Sequence, residues 1–252
     1  MDISLNEDER IDDLNCNGLR IIQNKNGFCF GIDSVLLANF AKDIKKGAKV
    51  IDLGTGTGII ATLLCGKTDL EKIVGVEVQE EVYKMAKKSI MLNNLESRFE
   101  VINENILNLD SIYEKFSFDV VVTNPPYKKN NTGVKNENNF KLISRHEITA
   151  DLEDFINVSN NLLKDKGEFY MVHRPERLVD IMSLLRKYKL EPKNITFVQS
   201  RLNEKPVLIL IRAVKNAREF LKIDKPLIIY KDNGDYTDEV LNMYSDDICN
   251  NK

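Results

Sequence analysis

Residues 50–60, VIDLGTGTGII, run from a β-branched apolar segment into three glycines, one at every second position, and then into a second apolar segment. This pattern suits a strand that ends in a tight turn and passes straight into a helix. Glycine takes positive φ without penalty and lets a ligand come close to the backbone. Such a turn belongs at the carboxyl edge of a parallel sheet, and the rest of the chain agrees with that architecture. Strand-like runs at 49–53, 72–77, 99–102, 119–123, 167–173, 194–199 and 207–214 alternate with helical patterns at 79–92, 152–163 and 177–188. Alternation of this kind predicts βαβ units, hence an α/β fold with a Rossmann-like, mostly parallel seven-stranded sheet.

The last two strands are joined by residues 200–206, too few for a crossover helix, so they are expected to pair as a hairpin and contribute one antiparallel strand. Upstream, residues 19–23 and 28–30 flank Asn26-Gly27 and read as a small N-terminal hairpin. A helix follows with Asp33 as its N-cap. Residues 226–230 read as one more short strand, and the polar tail from Thr237 is expected to fray. The implied organisation is a lead-in at 1–40, a core at 41–215 and a C-terminal extension at 216–252.

Composition limits the function. The longest apolar runs fall well short of the roughly 18 residues a membrane span needs, and the acidic start MDISLNEDERIDD does not read as a signal peptide. The expectation is a cytoplasmic protein without membrane contact. Cys16, Cys29, Cys65 and Cys249 show no metal or redox spacing, so neither disulfide nor metal is expected. With a formal net charge of -3, any contact with nucleic acid must come from a local patch.

Glu77 ends the second strand about 20 residues past the glycine turn, where an acidic residue accepts hydrogen bonds from ribose hydroxyls. Together they predict an adenosine-type cofactor. They do not choose between cofactors, because Gly56 to Ala61, GTGIIA, also fits the dinucleotide pattern of nicotinamide dehydrogenases.

The strand at 119–123 runs into Asn124, Pro125, Pro126 and Tyr127. Two prolines cannot continue a sheet, but they make a stiff turn without donors that presents carbonyls outward. Asn124 Oδ1 and the Pro125 carbonyl are two acceptors for the hydrogens of a planar amino group, and Tyr127 is a face on which a base can stack. DLGTGTG, Glu77 and NPPY together resemble the class I S-adenosyl-L-methionine-dependent methyltransferases that modify amino or amide nitrogens. FCFGIDSVLLANF, SRHEI, LLKDKGEFYMVHRPERL and PLIIY with DYT beyond it are similar to the bacterial tRNA adenine-N6 methyltransferase family acting on valine tRNA. That likeness spans about residues 19–237.

The resemblance implies a class I methyltransferase fold, S-adenosyl-L-methionine as cofactor, and a tRNA adenine amino group as substrate. Another RNA base or a protein glutamine amide is the alternative. It places Asp52, Gly54, Thr55 and Gly56 around the methionine part of the cofactor, Glu77 at the ribose and Asn105 at the adenine, where the related enzymes carry aspartate. It sets Phe30 and Asp33 to close the methyl-donor pocket, although a core aromatic and a helix cap explain these two residues equally well. Lys128, Lys129, Lys135, Lys141, Arg145 and His146 follow the NPPY turn as a positive patch suited to phosphates, and His173 and Arg174 end a neighbouring strand. A monomer is expected.

Overall fold

In the computed structural model, which describes residues 4–26, 31–127 and 150–244, the chain opens with an antiparallel pair, β1 (Glu9–Asp13) and β2 (Arg20–Asn24). The helix α1 (Ile32–Phe40) then leads into β3 (Lys49–Leu53), α2 (Ile59–Lys67), β4 (Lys72–Glu77), α3 (Glu80–Leu92), β5 (Phe99–Asn103) and β6 (Phe118–Thr123). Beyond the undescribed residues come α4 (Leu152–Leu162), β7 (Leu163–His173), α5 (Leu178–Lys187), β8 (Leu190–Gln199) and β9 (Pro206–Lys215). Two short strands, β10 (Lys222–Ile223) and β11 (Leu227–Ile228), and a last helix, α6 (Asp238–Tyr244), complete it.

The main sheet runs β10-β8-β9-β7-β6-β3-β4-β5, with β11 also beside β8. The β3, β4, β5, β6 and β7 pairings are parallel, whereas β9 is antiparallel to both β7 and β8. The expected antiparallel member of the final hairpin is therefore β9, and the seven expected strands are all present. Two edge strands extend the sheet. Leu227–Ile228 falls within the expected extra strand, while Lys222–Ile223 was not foreseen because a two-residue strand leaves no period to read.

Alternation along the strands feeds two cores. On β3, Val50 faces the layer formed by α1, α2, α3 and α6, while Ile51 and Leu53 face the layer of α4 and α5, and all three are fully buried. Each such side chain contributes about 1.5–3 kcal/mol of burial free energy. The strand order reverses between β3 and β6, so the crevice at their carboxyl ends is the switch point where ligands bind in open α/β sheets.

Two expectations need correction, and a third lies partly outside the described residues. The described partner of β2 is the upstream β1, whereas residues 27–30, which include the other arm of the expected hairpin, lie outside the described residues. ERIDD gives no apolar alternation. Instead its buried Glu9 pairs with Lys88 of α3 at 2.6 Å, and β2 is fastened to the same helix by Ile22 N donating to Ser89 Oγ at 2.9 Å. Asp33 is not a cap: Gly31 holds that position, and Asp33 lies in the first turn of α1. Nor is the tail all frayed. α6 forms because Val240 is fully buried and the Met243 carbonyl accepts from Lys67 Nζ and Asn39 Nδ2.

Candidate active site at the carboxyl edge of the sheet

Gly54, Gly56 and Gly58 all hold positive φ, so the turn after β3 needs glycine for backbone reasons. A side chain on Gly58 would also press on the Phe99 ring, with a Cβ 3.0 Å away, whereas one on Gly56 would meet nothing within 4 Å. The loop is pinned to β4: Gly54 N and Thr55 N both donate to the Val76 carbonyl, and Gly56 N donates to Glu77 Oε2 at 3.0 Å. Glu77 Oε1 accepts from Gln79 N at 2.9 Å. Each carboxylate oxygen keeps further accepting capacity, which leaves room for ribose hydroxyls. Burial raises the Glu77 carboxyl above its ordinary pKa.

Asp52, fully buried beneath this loop, accepts from Thr55 Oγ1 at 2.6 Å through Oδ2, while Oδ1 has no hydrogen-bond partner. Desolvation, with Glu77 adding repulsion, pushes its pKa up to about 7. A buried carboxylate with an idle oxygen beside an open glycine turn suits the cationic methionine end of S-adenosyl-L-methionine. The residues present thus fit that group. Thr55 occupies space that only glycine leaves at position 75, since a Cβ there would lie 2.8 Å from Thr55 Cγ2.

At the end of β5, Asn103 Nδ2 donates to the carbonyls of Glu77 and Val78, tying the two strand ends together. Sequence reading missed this residue and singled out Asn105. Asn105 sits just beyond, with its side-chain oxygen capping a short 3-10 turn by accepting from Leu107 N at 3.0 Å.

Across the switch point, Thr123 Oγ1 donates to the Leu53 carbonyl at 2.8 Å, clamping β6 to β3 just before Asn124. The hydroxyl of Tyr127 lies 2.8 Å from Asn124 Oδ1 and 2.9 Å from Asp33 Oδ2, so one phenolic proton serves two acceptors. Burial, with the Asp33 carboxylate adding to it, pushes the phenol well above its ordinary pKa and keeps it a donor. The His173 ring lies 5.1 Å from the Tyr127 ring, and the Arg174 guanidinium stands 5.2 Å from the same ring centroid. The fold therefore gathers Asp33, Asn124, Tyr127, His173 and Arg174 into one cluster. Phe30, Lys128, Lys129, Lys135, Lys141, Arg145 and His146 lie outside the described residues.

A separate polar groove of about 670 Å³ runs between α1, α6 and the faces of β7, β8 and β9, lined by Glu168, Tyr170 and Arg212 among others. None of the carboxyl-edge residues lines it. Among the described residues there is no group of His, Cys, Asp and Glu that could hold a metal and no helix long and apolar enough to cross a membrane.

A parallel sheet with one reversed strand, a glycine turn and acid at its switch point, and NPPY on the next strand define a methyltransferase of the class I fold. The chain belongs to the methyltransferase small domain family, whose model matches residues 30–188. It is 27% identical over 220 residues to a tRNA1(Val) (adenine(37)-N6)-methyltransferase of Porphyromonas gingivalis, covering 84% of this chain and 86% of that one. An enzyme of the same description from Flavobacterium johnsoniae is 25% identical, with 88% and 92% covered. In fold the chain is similar to a predicted O-methyltransferase from Agrobacterium tumefaciens, with a TM-score of 0.67, 21% identity, and 85% and 97% of the two chains covered.

Proposed function

We propose that this protein transfers a methyl group from S-adenosyl-L-methionine to the exocyclic amino nitrogen of an adenine in tRNA, in the anticodon-loop region. The observation that carries the reading is the place of Asn124. It stands at the switch point, clamped through Thr123 to the strand that bears the glycine turn.

When bound, the methyl donor supplies an electrophilic methyl on a sulfonium. The chain's own residues hold it: Asp52, Gly54, Thr55 and Gly56 along the methionine part, Glu77 at the ribose and Asn105 at the adenine. Asp33 closes the methyl-donor pocket from the N-terminal side, and the same role falls to Phe30 on the family resemblance alone. An aromatic amino group is a weak nucleophile because its lone pair is delocalised into the ring. Asn124 Oδ1 and the Pro125 carbonyl hold its two hydrogens and favour localisation of the lone pair, so positioning and electrostatics replace a strong base. Pro125 and Pro126 keep the turn stiff, and Tyr127 supplies the stacking face. Lys128, Lys129, Arg145 and His146 follow this turn in sequence and supply phosphate contacts.

Incubation of the protein with isotopically labelled methyl donor and total tRNA, followed by nucleoside mass spectrometry, tests the reading. Label in N6-methyladenosine is expected. Label confined to another nucleoside, or found only in protein glutamine when a cell extract is supplied, would overturn it.

A further inference from the structure

His173 closes β7 beside the NPPY turn with its side chain fully buried. Its Nδ1 accepts a hydrogen bond from Arg174 N at 2.8 Å, so in the neutral ring the proton sits on Nε2. That donor is buried and has no partner. The Tyr127 ring packs against the imidazole, tilted by 58° at 5.1 Å between centroids, and its hydroxyl occupies Asn124 Oδ1, the acceptor that the reaction needs for the incoming amino group. The ring also cannot offer its face freely while Asp33 and Asn124 hold its hydroxyl and Arg174 covers it.

Resting on the reading above, we propose that the target base displaces the Tyr127 hydroxyl from Asn124 and is then read by two groups, Asn124 Oδ1 accepting from its amino nitrogen and His173 Nε2–H donating to the adjacent ring nitrogen. An acceptor beside a donor is the complement of an amino group next to a ring nitrogen, the pattern by which an amide side chain reads adenine. A base with an oxo group in place of the amino group leaves Asn124 Oδ1 facing another acceptor, and on the edge that carries a ring N–H it leaves the His173 donor unpaired as well. Burial, reinforced by the charges of Arg177 and Arg174, holds the imidazole pKa down at about 4, so the ring stays neutral and keeps its single N–H. His173 thus selects the base without taking a proton in the reaction.

The test uses the full-length protein with RNA substrates whose target adenosine is replaced by 1-deazaadenosine or 7-deazaadenosine, which lack one ring acceptor each. For the wild type, one of the two should lower kcat/KM by about 10- to 100-fold, the discrimination carried by one base-edge contact. The same analogue should cost His173→Phe little further, because the contact is already gone. His173→Gln, which restores an N–H, should recover part of the loss. Affinity for S-adenosylhomocysteine, measured by calorimetry, should be the same in all three proteins. Wild-type turnover of both analogues at the rate of the adenosine RNA would overturn this inference and leave the proposed function standing, as would full analogue discrimination in His173→Phe. Absence of turnover on the adenosine RNA itself would remove both.

Discussion

Tyr127 illustrates how much a single hydroxyl changes the reading of a motif. From sequence, its contribution is a stacking face, and the hydroxyl is incidental. In the structure the hydroxyl is shared between Asn124 and Asp33, two residues separated from it by 3 and 94 positions. Tyr127→Phe should therefore turn over at close to the wild-type rate with an equal or lower KM, since it keeps the ring and frees Asn124. Tyr127→Ala should raise KM, because base stacking of about 1–3 kcal/mol is lost. Asn124→Ala should fold normally and lose about 10²–10³ in kcat, the cost of removing one acceptor that acts in the transition state. Single-turnover kinetics at saturating methyl donor separate the three, with circular dichroism confirming the fold. Near wild-type kcat in Asn124→Ala would reduce NPPY to a structural stop. The contact with Asp33 could not be read from the sequence, because helix-start chemistry and a distant tyrosine compete for the same carboxylate and only the fold decides between them.

At the scale of elements, what could be read was local. The strand–glycine–helix unit shows itself through residues within one turn of each other, and β3 and β4 begin and end where the sequence pattern puts them. The elements that escaped depend on partners far away. β1 carries one isoleucine in five residues and is held by β2 and by α3, and α6 is held by α1 and the end of α2. β7 begins at Leu163, ahead of the expected start, because its pairing with β6 continues across an irregular register between Phe118 and Val120. Gly58 offers a test of the local argument. It ends the turn with φ 87° and caps α2, and an added Cβ would crowd Phe99 at 3.0 Å. Gly58→Ala should lower stability by about 1–3 kcal/mol in urea denaturation, the cost of a left-handed alanine. The atoms it meets are Cε1 and Cζ of the Phe99 ring, which is fully buried in the core and cannot easily yield. An unchanged unfolding midpoint would mean that the turn relaxes without cost.

Over the whole molecule, two buried groups couple stability to pH with opposite sign. His173 has a folded pKa near 4, below its ordinary value of 6.5, so between these the unfolded chain binds more protons and stability rises with pH. Asp52 has a folded pKa near 7, above 3.8, so across that range the folded chain binds more protons and stability falls as pH rises. From about pH 4 to 6.5 the two oppose each other, while Glu77, whose carboxyl pKa burial also raises, acts in the same direction as Asp52. Above 6.5 the His173 contribution is complete, and the ionised form of Asp52 at pH 8 costs up to about 4 kcal/mol relative to acid conditions. Denaturant unfolding at a series of pH values should show stability falling more steeply with pH in His173→Phe than in the wild type, and less steeply in Asp52→Asn. If Asp52 faces the cation of the methyl donor, the donor's charge stabilises the carboxylate. Binding of S-adenosyl-L-methionine below pH 7 should then release a proton, seen as a dependence of the calorimetric heat on buffer ionisation enthalpy. Asp52→Asn should bind more weakly and lose that dependence. Equal heats in all buffers for the wild type would mean that Asp52 does not meet the ligand's charge, and its burial would then be a structural feature of the turn alone.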